Sequence, residues 1–381
     1  LRETGPVHSG GVFQLVGHPV DSSLGRPDEP TFSCFSWDTV DRALRDSSTF
    51  SSSASEGAGL IFGRNILQMD GDEHRRYRSI VQPVFTRNST KWWTDRWISD
   101  SVDLLVRRFE DRGRAELSIE FCALLPLLIT TGSFGVGGED VLSYRELVER
   151  MIRPTRDLTD KQAAAETVAA QLTPMIEARR GCPADDFLSV LANGRLTDGE
   201  GTRPLTDDEI LGYSRLLLAA GTGTTWRQLA ITLFALLSDP EQLAAVQADP
   251  SLLRFAIEES VRWEVTDPVF RRRVTRDIAF GGVDVPAGSM LEMCLGAANR
   301  DPTRWSDPHR YDLRRPLLPH AGFGGGAHVC LGVHLARVEL TTAVASLLER
   351  LPGIRLDPDA DTPRIVGLEH RGVTSLPVVF G

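Results

Sequence analysis

Pro319-His-Ala-Gly-Phe-Gly-Gly-Gly-Ala-His-Val-Cys-Leu-Gly332 places one cysteine, Cys330, between a run of glycines and an apolar helical segment. Gly324, Gly325 and Gly326 follow Phe323 without side chains, so the backbone there can take unusual dihedrals and bring its N–H groups close to whatever the sulfur touches. From Val333 to about Leu351 the pattern is helical, and the positive end of that helix dipole points back at the sulfur, favouring thiolate over thiol. A thiolate in a dry pocket lined by N–H groups is a ligand for a soft metal centre such as haem iron. A lone free cysteine in a Gly-rich turn is more often a buried structural residue. Here the spacing of the whole stretch argues for the ligand.

Read as Phe-Gly-x-Gly-x-His-x-Cys-x-Gly, the residues Phe323, Gly324, Gly326, His328, Cys330 and Gly332 resemble the haem-binding loop of the cytochrome P450 family. The resemblance extends from about Thr39 onward. It implies a mainly α fold with small β-sheets (α+β), a single large helix-rich domain over 1–381 around a buried haem b, with Cys330 as the axial ligand and Phe323 beside it.

Composition sets the outer limits. A hydrophobic content of 41% with 25% charged residues is that of an ordinary globular enzyme. The net charge of −10 disfavours a general nucleic-acid binder, which needs a basic face. Cys34, Cys122, Cys182, Cys294 and Cys330 form no short Cys-x-x-Cys pair, which argues against a zinc site or a disulfide framework and for a reducing cytoplasm. No apolar run approaches the length of a membrane span. The chain begins with Leu rather than Met, which leaves room for a true N-terminus, signal or anchor upstream.

Along the chain, Val12–Val16 alternates as a strand would, and Thr39–Asp46 reads as a short helix. Ser51–Leu67 is a Ser/Gly-rich loop with isolated large apolar residues. Helical patterns fill Glu73 to about Arg180, broken at Pro83, at Pro126, around Gly132–Gly138 and at Arg153–Thr159, the last break suggesting a mobile lid. Trp92, Trp93 and Trp97 lie at helical spacing and read as packing. Asn193–Leu205 is a polar loop. Thr206-Asp-Asp-Glu209 is a capping box opening a helix to about Leu237, where Ser238-Asp-Pro240 stops it. In its middle, Ala220-Gly-Thr-Gly-Thr-Thr225 has two glycines and three stiff threonines, which predicts a local opening of the helix. Arg272–Phe280 and Val283–Leu295, joined through Gly281-Gly282, read as strands, as does much of Ile354–Gly381.

Several of these positions match the family's motifs. Glu259-Ser-Val-Arg262 and the Arg315 that ends Tyr311–Arg315 resemble its buried Glu-Arg-Arg cluster. His74 and Arg78, four apart on one helical face, resemble the pair that grips the haem propionates by charge-assisted bonds. Arg272 and His328 would complete that grip, with Arg271 and Arg273 flanking the assignment. Ala220 to Thr224 resembles the oxygen-binding groove, with Thr224 at the place of the proton-relaying threonine. Gly223 departs from the pattern, because most members carry an acid there and glycine cannot pass a proton. Thr224, Thr225 and water, or a substrate group, would then take over, or the protein uses peroxide or other chemistry.

The activity implied is that of a haem-thiolate monooxygenase using O2, with electrons from a separate ferredoxin and its NAD(P)H-dependent reductase. Arg75, Arg76 and Arg337 are candidates for a basic docking face. The expected pocket walls are Phe62, Leu67, Leu217, Ala220, Gly221, Thr225, Val269 and Phe270. Mostly apolar, they predict a lipophilic substrate. A peroxide-using or non-hydroxylating enzyme, prompted by Gly223, and a haem-thiolate sensor are the alternatives.

Overall fold

The computed structural model describes residues 1–18, 29–137, 140–152 and 158–381. Eight helices frame the site: α1 (Trp37–Arg45), α2 (Glu56–Phe62), α3 (Gly71–Val81), α4 (Asp140–Ile152), α5 (Leu158–Gly181), α6 (Asp207–Leu237), α7 (Leu253–Trp263) and α8 (Val333–Arg350). The break expected at Arg153–Thr159 falls mainly on 153–157, outside the described residues.

The long helix α6 runs through the middle of the molecule. Thr206 accepts the Glu209 N–H through its side chain while the Glu209 carboxylate accepts the Thr206 N–H, so the expected capping box forms. The same carboxylate takes Tyr77 Oη at 2.6 Å and both Arg203 Nη groups at 2.7 and 2.8 Å, which anchors the start of α6 to α3. The helix does not open at Ala220–Thr225. It stays α-helical throughout, because the Thr224 hydroxyl bonds the carbonyl of Ala220, one turn back, without displacing the ladder.

A five-stranded sheet lies to one side, built from β1 (Val7–Ser9), β2 (Thr31–Cys34), β3 (Phe50–Ser51), β4 (Val269–Val274) and β5 (Met290–Cys294), in the order β1-β2-β5-β4-β3. Between β4 and β5, Ile278–Phe280 pairs with Val283–Val285 through Gly281 and Gly282, whose φ of 58° and 84° need residues without a Cβ. Near the C-terminus a two-stranded hairpin, β6 (Ile365–Val366) with β7 (Gly372–Val373), packs against α6.

Among the described residues two main apolar cores hold these layers, with a small third cluster of Val12, Phe35 and Cys294. The larger surrounds α6 and draws on α3, α5, α7 and α8; the smaller joins the sheet to α1 through Val40, Leu44, Phe50, Val274 and Leu291. Trp92 and Trp97 have ring centroids 4.7 Å apart and Trp93 is buried between them and Phe187, so the tryptophans do pack.

Three local expectations are corrected. Val12–Leu15 is a helical turn, because Glu292 reaches the Val12 N–H at 2.7 Å and starts it. Ser51–Leu67 contains a 3₁₀ turn, Ser52–Ser55, followed by α2. Asn193–Leu205 holds a β-hairpin, Arg195–Asp198 with Gly201–Pro204, since alternating polar side chains suit a strand with little buried surface. No single helix among the described residues is long and apolar enough to cross a membrane.

Candidate active site

The loop before α8 folds on itself to present Cys330. Gly324 and Gly326 have φ of 71° and 64°, which other residues adopt at a cost, and a Cβ on Gly326 would meet Leu44 O at 2.5 Å. Gly325 is extended and needs no such freedom. The Cys330 N–H donates to Phe323 O at 2.8 Å, closing the loop. Phe323 lies under the Arg337 guanidinium, 5.1 Å from ring centroid to charge. Burial pushes the Cys330 thiol above the ordinary cysteine range, while the Gly332 N–H, Arg78 and Arg337 pull it down. Desolvation is the largest of these influences.

Four basic side chains converge nearby. His74 on α3 is buried and its ring centroid lies 4.1 Å from that of His328. Neither His74 ring nitrogen has a hydrogen-bond partner among the described residues. Burial drives its pKa down to about 4, and His328 and Arg78 add to the effect. Arg78 donates to Gln82 Oε1 and to Ala327 O, and Arg272 to Arg271 O. The carboxylate beside them is Asp70, which takes Ser51 Oγ at 2.7 Å and the Ser52 N–H at 2.8 Å, with His328 at 3.4 Å. Burial raises the Asp70 pKa, but these bonds bring it to about 2. His328 also meets Ser52 Oγ at 2.8 Å. Cations outnumber carboxylates here, and the orphaned histidine nitrogens await acceptors.

Sequence left the choice among three consecutive arginines open. The strand β4 separates them: Arg271 pairs with Glu292, directly opposite on β5, and Arg273 pairs with Glu29. Arg272, on the other face by strand alternation, has no carboxylate within ion-pair range among the described residues and joins the cradle. Phe270, half-exposed, shares its face. Val269 does not: it faces the other way and packs on Val12, Phe35 and Cys294, so the expected wall residue is displaced by the period of the strand.

The middle of α6 borders open space. Its flanks are buried, yet Ala220 and Gly221 are exposed and Leu217 and Thr224 half-exposed, a stripe at helical spacing. Thr224 Oγ1 donates to Ala220 O at 2.8 Å. Thr225 is buried. A Cβ on Gly223 would meet Ile152 Cδ1 at 3.0 Å and Arg227 Nη1 at 3.4 Å. Phe62 packs partly into the main core, and Leu67 is exposed.

The expected structural cluster forms. Glu259 takes Arg262 Nε at 2.7 Å, Arg262 Nη2 at 2.8 Å and Arg315 Nε at 3.0 Å, all buried, and Arg262 Nη1 reaches Asn299 O and Pro308 O. Arg337, expected on an open docking face, instead makes a bidentate pair with Glu258 at 2.6 and 2.8 Å. Sequence reading missed Ser52, Asp70, Glu258 and a pair formed by Asp267 and His370 Nδ1 at 2.8 Å. Only Asp70 left a signal, as a capping type ahead of an acidic first turn.

Among the described residues no three His, Cys, Asp or Glu side chains gather as a metal site. A metal on Cys330 would need most of its ligands from a macrocycle, and the uncompensated cations suit that macrocycle's carboxylates. The residues present fit a haem.

The family model described as Cytochrome P450 matches residues 144–373. The chain is 34% identical, over 94% of its length and 83% of the relative's, to the cytochrome P450 monooxygenase PikC of Streptomyces venezuelae. Among solved structures, P450BioI in complex with an acyl carrier protein bearing hexadec-9Z-enoic acid superposes with a TM-score of 0.86 at 28% identity, covering 100% of this chain and 97% of that one. CYP109E1 from Bacillus megaterium in complex with testosterone gives 0.85 at 26% identity, with coverages of 100% and 97%.

Proposed function

Because the chain belongs to the cytochrome P450 family of monooxygenases, we propose that residues 1–381 act as one domain that binds haem b through Cys330 and inserts one oxygen atom of O2 into a lipophilic small molecule. The observation that supports this most directly is that Arg78 and Arg272, which have no carboxylate partner among the described residues, gather with the buried and unpartnered His74 beside one loop-held cysteine. When bound, the haem supplies an iron centre that activates oxygen.

The protein's own groups divide the remaining work. Arg78, Arg272, His74 and His328 would hold the propionates, and Phe323 would shield the sulfur from water. Gly324 and Gly326 let the loop wrap the ligand closely. On α6, Thr224 can exchange its bond to Ala220 O for one to a water, orienting a proton donor toward the open space. Leu217, Ala220, Gly221, Phe62, Leu67 and Phe270 present apolar surface to the substrate. Electrons come from a separate ferredoxin and its NAD(P)H-dependent reductase, in a reducing cytoplasm that suits five free cysteines.

Gly223 supports a second reading, in which peroxide replaces O2 and the electron donors. The two are separated by turnover of any ligand that shifts the haem absorption. Product carrying label from isotopic O2, formed only with electron donors, supports the main reading. Equal product from hydrogen peroxide alone supports the second. A ligand that binds but is never oxidised points to a sensor. A reduced carbon monoxide spectrum without the thiolate signature would refute the haem assignment itself.

A further inference from the structure

Buried cations in this protein are mostly paired with acids, and the exceptions around Cys330 mark its cofactor cradle. Applied to the rest of α6, the same criterion leaves Arg215, which is tied to Ala165 O on α5 at 3.0 Å, and Arg227. Arg227 Nη1 donates to Gly223 O at 2.6 Å, and its guanidinium lies 4.6 Å from the Trp226 ring centroid. The stem is pinned by β7, since a Cβ on Gly372 would meet Arg227 Cγ at 3.3 Å. No carboxylate of the described residues lies within ion-pair distance. The two acids close enough to be felt are Asp267, bonded to His370, and Glu149, paired with Arg145.

Arg227 also borders the open space. It stands seven residues, about 20° of helical rotation, from the exposed Ala220. A carboxylate at 223 would lie four residues before Arg227, in the favourable acid-before-base order for a helical ion pair. Glycine leaves that pair unmade, and Ile152 Cδ1 and Arg227 Nη1 pack where a Cβ would stand.

We propose that Arg227 is the docking point for a carboxylate of the substrate, which supplies the acid that no side chain at 223 provides. This rests on the pocket reading above and narrows its substrate class to lipophilic carboxylic acids. The planar guanidinium keeps donors uncommitted beyond the bond to Gly223, so a carboxylate is preferred over a neutral acceptor of the same shape.

The test uses the haem-loaded protein and three matched probe pairs: dodecanoate with dodecan-1-ol, 2-naphthoate with 2-naphthalenemethanol, and abietate with abietol. Affinity is measured by equilibrium dialysis, which needs no turnover. In at least one pair the acid is expected to bind roughly tenfold or more tightly than the alcohol, as for a hydrogen bond to a charged group. Arg227→Gln, and separately Gly223→Glu, should abolish that preference while alcohol binding persists. No acid preference in any pair, or a preference that survives both substitutions, overturns the proposal. A lost thiolate spectrum would instead count against the haem reading, so the two failures are distinguishable.

Discussion

Arg272 shows what one side chain's company decides. Of three neighbouring arginines, two face partners distant in the chain, Glu292 on β5 and Glu29 in the bend before β2, and the third faces a cradle rich in positive charge. We expect Arg272→Leu to speed loss of haem to an excess of haem-scavenging protein by tenfold or more, given ~1.5–3 kcal/mol for a charge-assisted bond. Arg273→Leu should change that rate by less than about twofold, since Arg273 pairs with Glu29 on the face turned away from the cradle. Equal rates for both would mean that the cradle does not include Arg272. The run Arg-Arg-Arg contained half of this answer: strand alternation says that Arg272 differs from its neighbours. It could not say which face meets acids, because Glu29 and Glu292 arrive through long-range pairing. Cys330, by contrast, was legible, because its loop, its glycines and its helix are contiguous in the chain.

At the scale of elements, α6 and α8 were readable because caps and apolar periodicity are local signals. The hairpin at Arg195–Pro204 and the helix α2 were not, since short elements draw their stability from neighbours. Helix α8 also carries a cost that its sequence conceals. Glu339 is 3% exposed, its Oε1 lacks a partner among the described residues, and burial pushes its pKa up to about 8. The unfolded chain releases that proton near the ordinary glutamate value, while the folded protein keeps it. Between about pH 4.5 and 8 the native state thus binds more protons, and stability falls as pH rises, by at most ~1.4 kcal/mol per pH unit. Glu339→Gln should remove this slope: thermal unfolding at pH 8 should shift upward by several degrees relative to the unsubstituted protein, with a smaller difference at pH 5. An identical shift at both pH values would show that Glu339 is already ionised in the native state.

The whole molecule bears a net charge of −10, which opposes approach of an acidic electron donor except where basic groups gather. The outer face of α3 is such a place. His74 and Arg78 turn inward to the cradle, so Arg75 and Arg76, both exposed, stand on the same short helix and close to the edge where electrons would enter. Arg75 has a largely exposed partner in Asp72, which screens it only weakly. Arg337 is held in a bidentate pair with Glu258 and adds little net charge to any surface. Reversing Arg75 and Arg76 together to glutamate should therefore slow reduction by a [2Fe–2S] ferredoxin roughly tenfold at low ionic strength, with the deficit shrinking as salt approaches about 0.5 M. The carbon monoxide spectrum should stay unchanged, because neither side chain reaches the cradle. Stopped-flow reduction at two salt concentrations decides the matter: unaltered rates at low salt would move the docking face away from α3, and a deficit that persists at high salt would mean that the substitutions disturb the path to the haem and not the encounter.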